Sequence, residues 1–343
     1  MRIGLVGYGG WGRVHGDVIA RIPALTLRAV VCGDEDSARA ASQLTGVAVH
    51  RDYESLLRDP AIDLIDIVSP NHLHAGMTLA ALAAGKHVLL EKPMATTLAD
   101  ARRVVEAAER SDRYVGIGLQ LHTSRQWGRI RDLINEGAIG RPRYANSLLF
   151  RRPFRGGAAD WRFDGAKVGS WILEEAVHYI DLLLLYFQGS GLPVELSADG
   201  HLSFRGAGMH DSFTCTMRFA DGAYASFSQC LGGFEHSLLT EIAGTEGAIR
   251  TAWTGAADRE PNANFELKLR RAGSVDAEIV PIEKSGEVYE LEEQMRRLVT
   301  DVPRRAPLVS ARAALPSQVI CLEIERAIAE RRTITLDWTT LSS

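Results

Sequence analysis

Apolar and polar positions follow two different rhythms along this chain, and the change falls near residue 120. Before it, short apolar runs alternate with stretches of helical period. Residues 2–6 read as a strand, followed by a glycine-rich turn and a helix to about Ile22. Residues 27–32 form a second apolar run, and helical segments start near Ser37 and at Tyr53. Residues 64–68, Leu-Ile-Asp-Ile-Val, have the Ile and Val content of a strand buried on both faces. Residues 74–84 are Ala- and Leu-rich and stop at Gly85, as a helix does; residues 87–90 are strand again. Thr97-Leu98-Ala99-Asp100 is a capping box opening a helix to Ser111, and residues 114–118 close the series. Strands alternating with helices in this way predict an α/β doubly wound parallel sheet.

After residue 120 the pattern changes. A helix over 125–136 ends at Gly137, residues 143–150 read as a strand, and Arg151 to Val168 is a long loop rich in Gly and Arg. Residues 170–188 form a strong helix stopped by Gly189. Strict alternation follows: Phe213, Cys215, Met217 and Phe219 fall on one face, Thr214, Thr216 and Arg218 on the other. Asp221-Gly222 is a hairpin signal, and residues 223–229 alternate again. Residues 238–244, 248–251 and 265–271 are further strands, helices follow near 287–299 and 316–331, and a short strand lies at 333–336. This predicts an α+β domain on a mostly antiparallel, open sheet. A length of 343 residues favours two cores, with domains over 1–120 and 121–343 and the boundary at 119–124.

Composition narrows the class. Hydrophobic residues are 46% and charged residues 24%, ordinary globular usage. A net charge of −4 speaks against nucleic acid or an anionic membrane surface as a partner. The N-terminus enters a strand without a signal-peptide pattern, and no apolar stretch is long enough to span a bilayer. Cys32, Cys215, Cys230 and Cys321 are scattered without a CxxC, as expected of buried thiols in a reducing cytoplasm.

The turn after the first strand is Gly7-Tyr8-Gly9-Gly10-Trp11-Gly12. GxGxxG alone is a weak pattern; between a strand and a helix at the start of a βαβ unit it reads as a dinucleotide cradle of the Rossmann type. Asp34 follows about twenty residues after Gly12, where an acid binds the adenosine ribose. Asp34, Glu35 and Asp36 together would repel a 2′-phosphate, so NAD is expected rather than NADP. The other reading of Asp34 is an acidic turn that caps the helix near Ser37.

Glu91-Lys92-Pro93 stands at the carboxyl end of the strand over 87–90, where open α/β sheets place their ligands. A bare tripeptide of this kind is usually a surface ion pair. With Ser69-Pro70-Asn71, His74 and Ala83-Ala84-Gly85-Lys86-His87-Val88, however, it resembles the Gfo/Idh/MocA family, over residue 1 to about residue 250. The resemblance implies a two-domain, nicotinamide-dependent oxidoreductase acting on a sugar or cyclitol. It adds Ser69, Pro70, Asn71, His74, Glu91 and Lys92 to the glycine turn and Asp34 as cofactor contacts. It also implies a homodimer or homotetramer through the open sheet.

The helix over 170–188 carries Glu174, His178 and Asp181, spaced so that an α-helix puts them on one face. A histidine on an apolar helix is more often a core residue than a base. The family's second motif, GG followed by DxxxHxxD, matches Gly169-Ser170, Glu174, His178 and Asp181, with Ser for the second Gly and Glu for the first Asp. The resemblance thus gives Lys92, Glu174 and His178 as catalytic residues: Lys92 bonds the reacting oxygen, His178 moves its proton, and Glu174 orients His178. His122, Trp161 and Arg162 join them as expected substrate contacts. An indole face suits a sugar ring, and Arg151, Arg152, Arg155 and Arg162 offer forks for an anionic substrate, unless they are solvated or paired with acids such as Asp160 and Asp164. Glu175-Ala176-Val177-His178 has the ExxH spacing of a di-iron site, but a second such motif is lacking, so no metal is expected. Two other functions stay open: glycoside cleavage through transient oxidation with retained NAD, and a non-enzymatic dinucleotide sensor.

Overall fold

The structure, a computed structural model, describes residues 1–202 and 207–341. The chain divides into two compact units. The first takes Met1–Gln120, Arg155–Gly169 and Leu291–Leu315; the second takes Leu121–Phe154, Ser170–Glu290 and Pro316–Ser343. Both later segments of the first unit lie within residues 121–343, the range expected for the second domain. Local pattern does not reveal them, because what ties them in is packing between residues far apart in the chain.

The first unit is built on six parallel strands: β1 (Arg2–Val6), β2 (Thr26–Val31), β3 (Ala48–His50), β4 (Leu64–Ile67), β5 (His87–Glu91) and β6 (Val115–Gly118). They lie in the order β3-β2-β1-β4-β5-β6. The order reverses between β1 and β4, so a crevice opens outside their carboxyl ends. The strands buried on both faces, such as β4, are the ones that read as apolar runs, whereas the three-residue β3 is only half-buried and gave no signal. Helices α1 (Gly10–Arg21), α2 (Glu35–Ala41), α3 (Glu54–Arg58), α4 (His74–Ala83) and α5 (Leu98–Arg110) connect them. At the start of α5, Thr97 Oγ1 accepts from the Asp100 N–H at 3.1 Å, the cap the sequence announces.

The second unit is a nine-stranded sheet: β7 (Pro142–Phe150), β8 (Pro193–Leu202), β9 (His210–Phe219), β10 (Tyr224–Cys230), β11 (His236–Gly244), β12 (Ala248–Gly255), β13 (Asn264–Arg270), β14 (Glu278–Ile279) and β15 (Ile334–Thr335). Its order is β14-β13-β12-β11-β7-β10-β9-β8-β15. Every pairing is antiparallel except β7 with β10. β8 escaped the sequence reading because its exposure does not alternate: only Pro193 and Leu196 are buried. Phe213, Cys215, Met217 and Phe219 line the inner face with Ala225 and Phe227. The helix Val177–Tyr186 packs on them, with Tyr179 stacked on Phe227 and Phe187 stacked on Phe219. The outer face is less polar than the alternation suggested. Besides Thr214 and Ser228, which share a hydrogen bond, it carries the paired rings of Tyr144 and Tyr224 and the exposed side chains of Phe150 and Leu239. No helix among the described residues is long and apolar enough to cross a membrane.

Candidate active site

In the first unit, β1 delivers the chain into the glycine turn. Gly7 has φ +92, and a Cβ there would lie 2.3 Å from the Val68 carbonyl oxygen; a Cβ on Gly12 would lie 2.0 Å from the Gly7 carbonyl oxygen. Only glycine fits at either position. Gly9 and Gly10, by contrast, have nothing within 4 Å of where a Cβ would be. Helix α1 begins at Gly10 with no side-chain cap, so its first N–H groups are offered to that open space, as a dinucleotide pyrophosphate requires. The Tyr8 side chain is buried against Leu5, Val30 and Cys32, leaving its backbone as the part that borders the turn.

Asp34 caps α2, accepting from the Ser37 N–H at 2.8 Å and the Ser37 hydroxyl at 2.7 Å. These bonds, chiefly the one from the backbone, lower its pKa below the usual carboxylate range. The cap uses part of the acceptor capacity of the carboxylate and leaves lone pairs for ribose hydroxyls. The turn is also less negative than its sequence: Arg51 donates to the Asp34 carbonyl at 2.6 Å and pairs with Glu35 at 3.0 Å. Sequence reasoning missed Arg51 because it lies just past β3, the strand it had not seen.

At the ends of β4 and β5 one histidine holds two turns together. His74 Nε2 is 2.8 Å from the Ser69 carbonyl and Nδ1 is 2.7 Å from the Pro93 carbonyl. Asn71 donates to the Val168 carbonyl at 3.0 Å, fixing the loop segment Arg155–Gly169 of the same unit. The Ser69 hydroxyl is buried with no protein partner, a group suited to a ligand hydrogen bond. Glu91 is buried; burial, which would raise its pKa, is outweighed by His15, Lys92 and Trp11, and its carboxyl is held low. Lys92 follows it, partly exposed, with a cis peptide to Pro93.

Arg155–Gly169 also carries Trp161 and Arg162. Trp161 is buried, and the Arg162 guanidinium lies 4.2 Å from its ring centroid, covering one face of the indole. Asp164 pairs with Lys167 rather than with an arginine.

In the second unit, the helix expected over 170–188 is not uniform. Ser170 caps it, its hydroxyl accepting from the Leu173 N–H at 3.0 Å, after Gly169 at φ +83. The Ser in place of the family's second Gly therefore has a structural use. Ile172–Ala176 is one π-helical turn, and the α-helix runs over Val177–Tyr186. A π turn holds one more residue, so Glu174 does not stand at the α-helical phase to His178 that the spacing implied. Glu174 and Glu175 are consecutive, and both are buried. Glu175 is neutralised by Arg151, at 2.5 Å, which also reaches Asp258 at 3.2 Å. Arg151 is thus committed to acids, and Arg152 bonds the Phe234 carbonyl at 2.7 Å. His178 is buried beside Tyr179, and Asp181 is hydrogen-bonded to His122 Nε2. His122 comes into view with a carboxylate behind it, the arrangement that orients an imidazole for proton transfer. Among the described residues no cluster of His, Cys, Asp or Glu is arranged to hold a metal ion.

The family model for the oxidoreductase family with an NAD-binding Rossmann fold matches residues 1–119, and that for the GFO/IDH/MocA C-terminal domain matches residues 127–250. The chain is 32% identical over 252 residues to a 1,5-anhydro-D-fructose reductase of Ensifer adhaerens, covering 70% of this chain and 74% of that protein. It is 27% identical over 258 residues to a myo-inositol 2-dehydrogenase of Thermotoga maritima, covering 73% and 74%. In fold it is similar to a levoglucosan dehydrogenase in complex with NADH, with a TM-score of 0.85 and 21% identity over 98% of this chain and 99% of that one. The turn that only glycine can make, the open cradle beside it and these matches lead to one conclusion: the chain belongs to the Gfo/Idh/MocA family and is an NAD-dependent oxidoreductase.

Proposed function

We propose that the protein moves a hydride between a ring secondary alcohol of a sugar, sugar acid or cyclitol and NAD. The observation that supports this most is Lys92 at the carboxyl end of β5, in the same unit as the open glycine turn. Bound NAD supplies the hydride acceptor or donor. Lys92 hydrogen-bonds the reacting oxygen and lowers the cost of a developing alkoxide. His178 takes or returns the hydroxyl proton, and Glu174 orients it. Gly7 to Gly12 hold the pyrophosphate, Asp34 the ribose, and Ser69, with Pro70 and Asn71, borders the nicotinamide end. His74 acts on the cofactor site by holding the Ser69 and Pro93 carbonyls. His122 and Arg162 contact the substrate, and Trp161 lends Arg162 its face.

The test is a panel of sugars, sugar acids and cyclitols, assayed for NADH release with NAD and with NADP. Release of free NADH from one of them supports the reading. NADH that stays on the protein while a glycoside is cleaved would replace it. In the same assay kcat/KM should favour NAD by about tenfold or more, a difference of roughly 1.4 kcal/mol. Equal use of NADP would mean that Arg51, not Asp34, meets the ribose.

We also propose assembly through the outer face of the nine-stranded sheet, where Tyr144, Tyr224, Phe150 and Leu239 interrupt the polar positions. Light scattering at micromolar concentration is expected to give at least a dimer, and Tyr224→Glu should shift it toward monomer. A monomeric wild type would end this proposal.

A further inference from the structure

Behind the glycine turn, in the same unit, lies a charged cluster in the dry interior. His15 stands on α1, four residues after Trp11 and therefore on the same face of the helix. It has no exposed surface. Its Nδ1 is 2.8 Å from Asp66 Oδ2, at the middle of β4, and its Nε2 is 3.3 Å from Glu91 Oε1, at the end of β5. Asp66 is fully buried as well. The edge of the Trp11 ring meets His15 at a centroid distance of 5.3 Å, and the Trp11 side chain also bonds Glu91. The second Glu91 oxygen accepts from the Lys92 N–H at 3.2 Å. Gly118 on β6 makes room for the carboxylate: a Cβ there would lie 2.8 Å from Glu91 Oε1.

The chemistry of this arrangement is restrictive. Carboxylates only accept, so an imidazole set between two of them satisfies both only when each ring nitrogen carries a proton. The cluster is then one imidazolium hydrogen-bonded to Asp66, with Glu91 facing its other nitrogen as a charge contact; burial pushes the Asp66 carboxyl up, and the His15 charge pulls it part of the way back down. Neutral, the ring would leave one buried carboxylate facing a lone pair. The three side chains come from α1, β4 and β5, the elements that form the dinucleotide turn and the Lys92 strand end. Nothing in the hydride chemistry above calls for them.

We infer that His15 is a positioning residue for the dinucleotide: protonated, it clamps the first turn of α1 against β4 and β5, and losing that charge loosens the turn and weakens binding. This rests on the reading of Gly7 to Gly12 as the NAD cradle. The groups that face His15 are Trp11 on its own helix, Asp66 from β4, and Glu91 from β5, with Lys92 next along the chain. Burial alone would lower the His15 pKa; Asp66 and then Glu91 outweigh it and raise the value to about 9. The clamp is therefore intact at neutral pH and opens as pH rises through that value.

NADH binding, followed by quenching of tryptophan fluorescence between pH 7 and 10, tests this without a substrate. If only the protonated form binds well, Kd should rise about tenfold by pH 10, with circular dichroism unchanged. His15→Gln should bind NADH about tenfold more weakly already at pH 7, with no step at higher pH. If that variant does not fold, the wild-type profile decides alone: a step near pH 9 supports the clamp, and a flat profile overturns it. Wild type that binds NADH tightly, with an affinity that ignores both pH and His15→Gln, removes this inference alone. Wild type that binds no NADH at any pH removes the cradle reading and this inference with it.

Discussion

Lys92→Ala and His178→Ala are each expected to lower kcat by roughly 10²–10⁴-fold while NADH binding changes little. The expectation follows from what each group can do. Lys92 is the cation at the end of β5, and in the proposed reaction it acts on charge that appears at oxygen as hydride leaves. His178 is a buried imidazole on a helix buried on every side, so its ring has little freedom to be anywhere else. On that proposal, removing either takes away an interaction that strengthens only in the transition state, so the loss falls on kcat more than on KM. Glu174→Asp, which shortens the side chain by one methylene, should stay within about tenfold of wild type, because orientation tolerates a small shift better than proton transfer tolerates a missing base. The assay is kcat and KM on the best substrate of the panel, with NADH titration alongside. Full activity in His178→Ala would show that another group is the base, and His122, backed by Asp181, would be the first to examine.

Arg151→Met is expected to have the largest effect on stability. The Arg151 and Glu175 side chains are only 12% and 7% exposed, and the pair lies inside the second unit at the π turn. Asp258 shares the arginine, and its attraction together with that of Glu175 keeps the guanidinium charged in spite of burial. Methionine fills much the same volume but leaves Glu175 uncompensated. Breaking a buried pair from one side costs about 3–5 kcal/mol. For a unit of this size that lowers Tm by roughly 6–20 °C. Glu175→Gln in the Arg151→Met background should recover part of the loss, since the stranded charge is then gone. An Arg151→Met protein that melts within about 2 °C of wild type would mean that water reaches the pair.

Both cases show where a linear reading works. The parallel sheet was legible because strands buried on both faces leave largely apolar runs, as at Leu64–Ile67 with the single polar Asp66, and because Gly7 and Gly12 have no room for a Cβ. The inner sheet face was legible in Phe213, Cys215, Met217 and Phe219 for the matching reason of period two. Partnerships were not. Arg151 looked like a ligand for an anion because four arginines crowd one loop, but the acids it meets lie on the helix after that loop and more than a hundred residues further on, at Asp258. The π turn left no trace either, since spacing arithmetic presumes a uniform helix. One partnership does leave a mark in the sequence: an Asp in the middle of Leu-Ile-Asp-Ile-Val demands a buried partner, and a His on the inner face of α1 supplies it.

The first unit is discontinuous, and this matters for how the protein comes to be made. β6 is the outermost strand of the parallel sheet. Its free side is met by Gln294 and by residues 309–310: the Ile117 N–H donates to the Val309 carbonyl at 3.0 Å, Gln294 donates to the Ile117 carbonyl at 3.0 Å, and Gly116 bridges Ser310. On a ribosome those partners emerge after nearly the whole second unit. Until then the nascent nucleotide-binding sheet carries a raw hydrogen-bonding rim, the kind of edge that recruits other strands. A fragment cut at residue 120 keeps the cradle but also that rim. The portable NAD-binding module of this protein therefore has to include the segment Leu291–Leu315 as well as the first 120 residues.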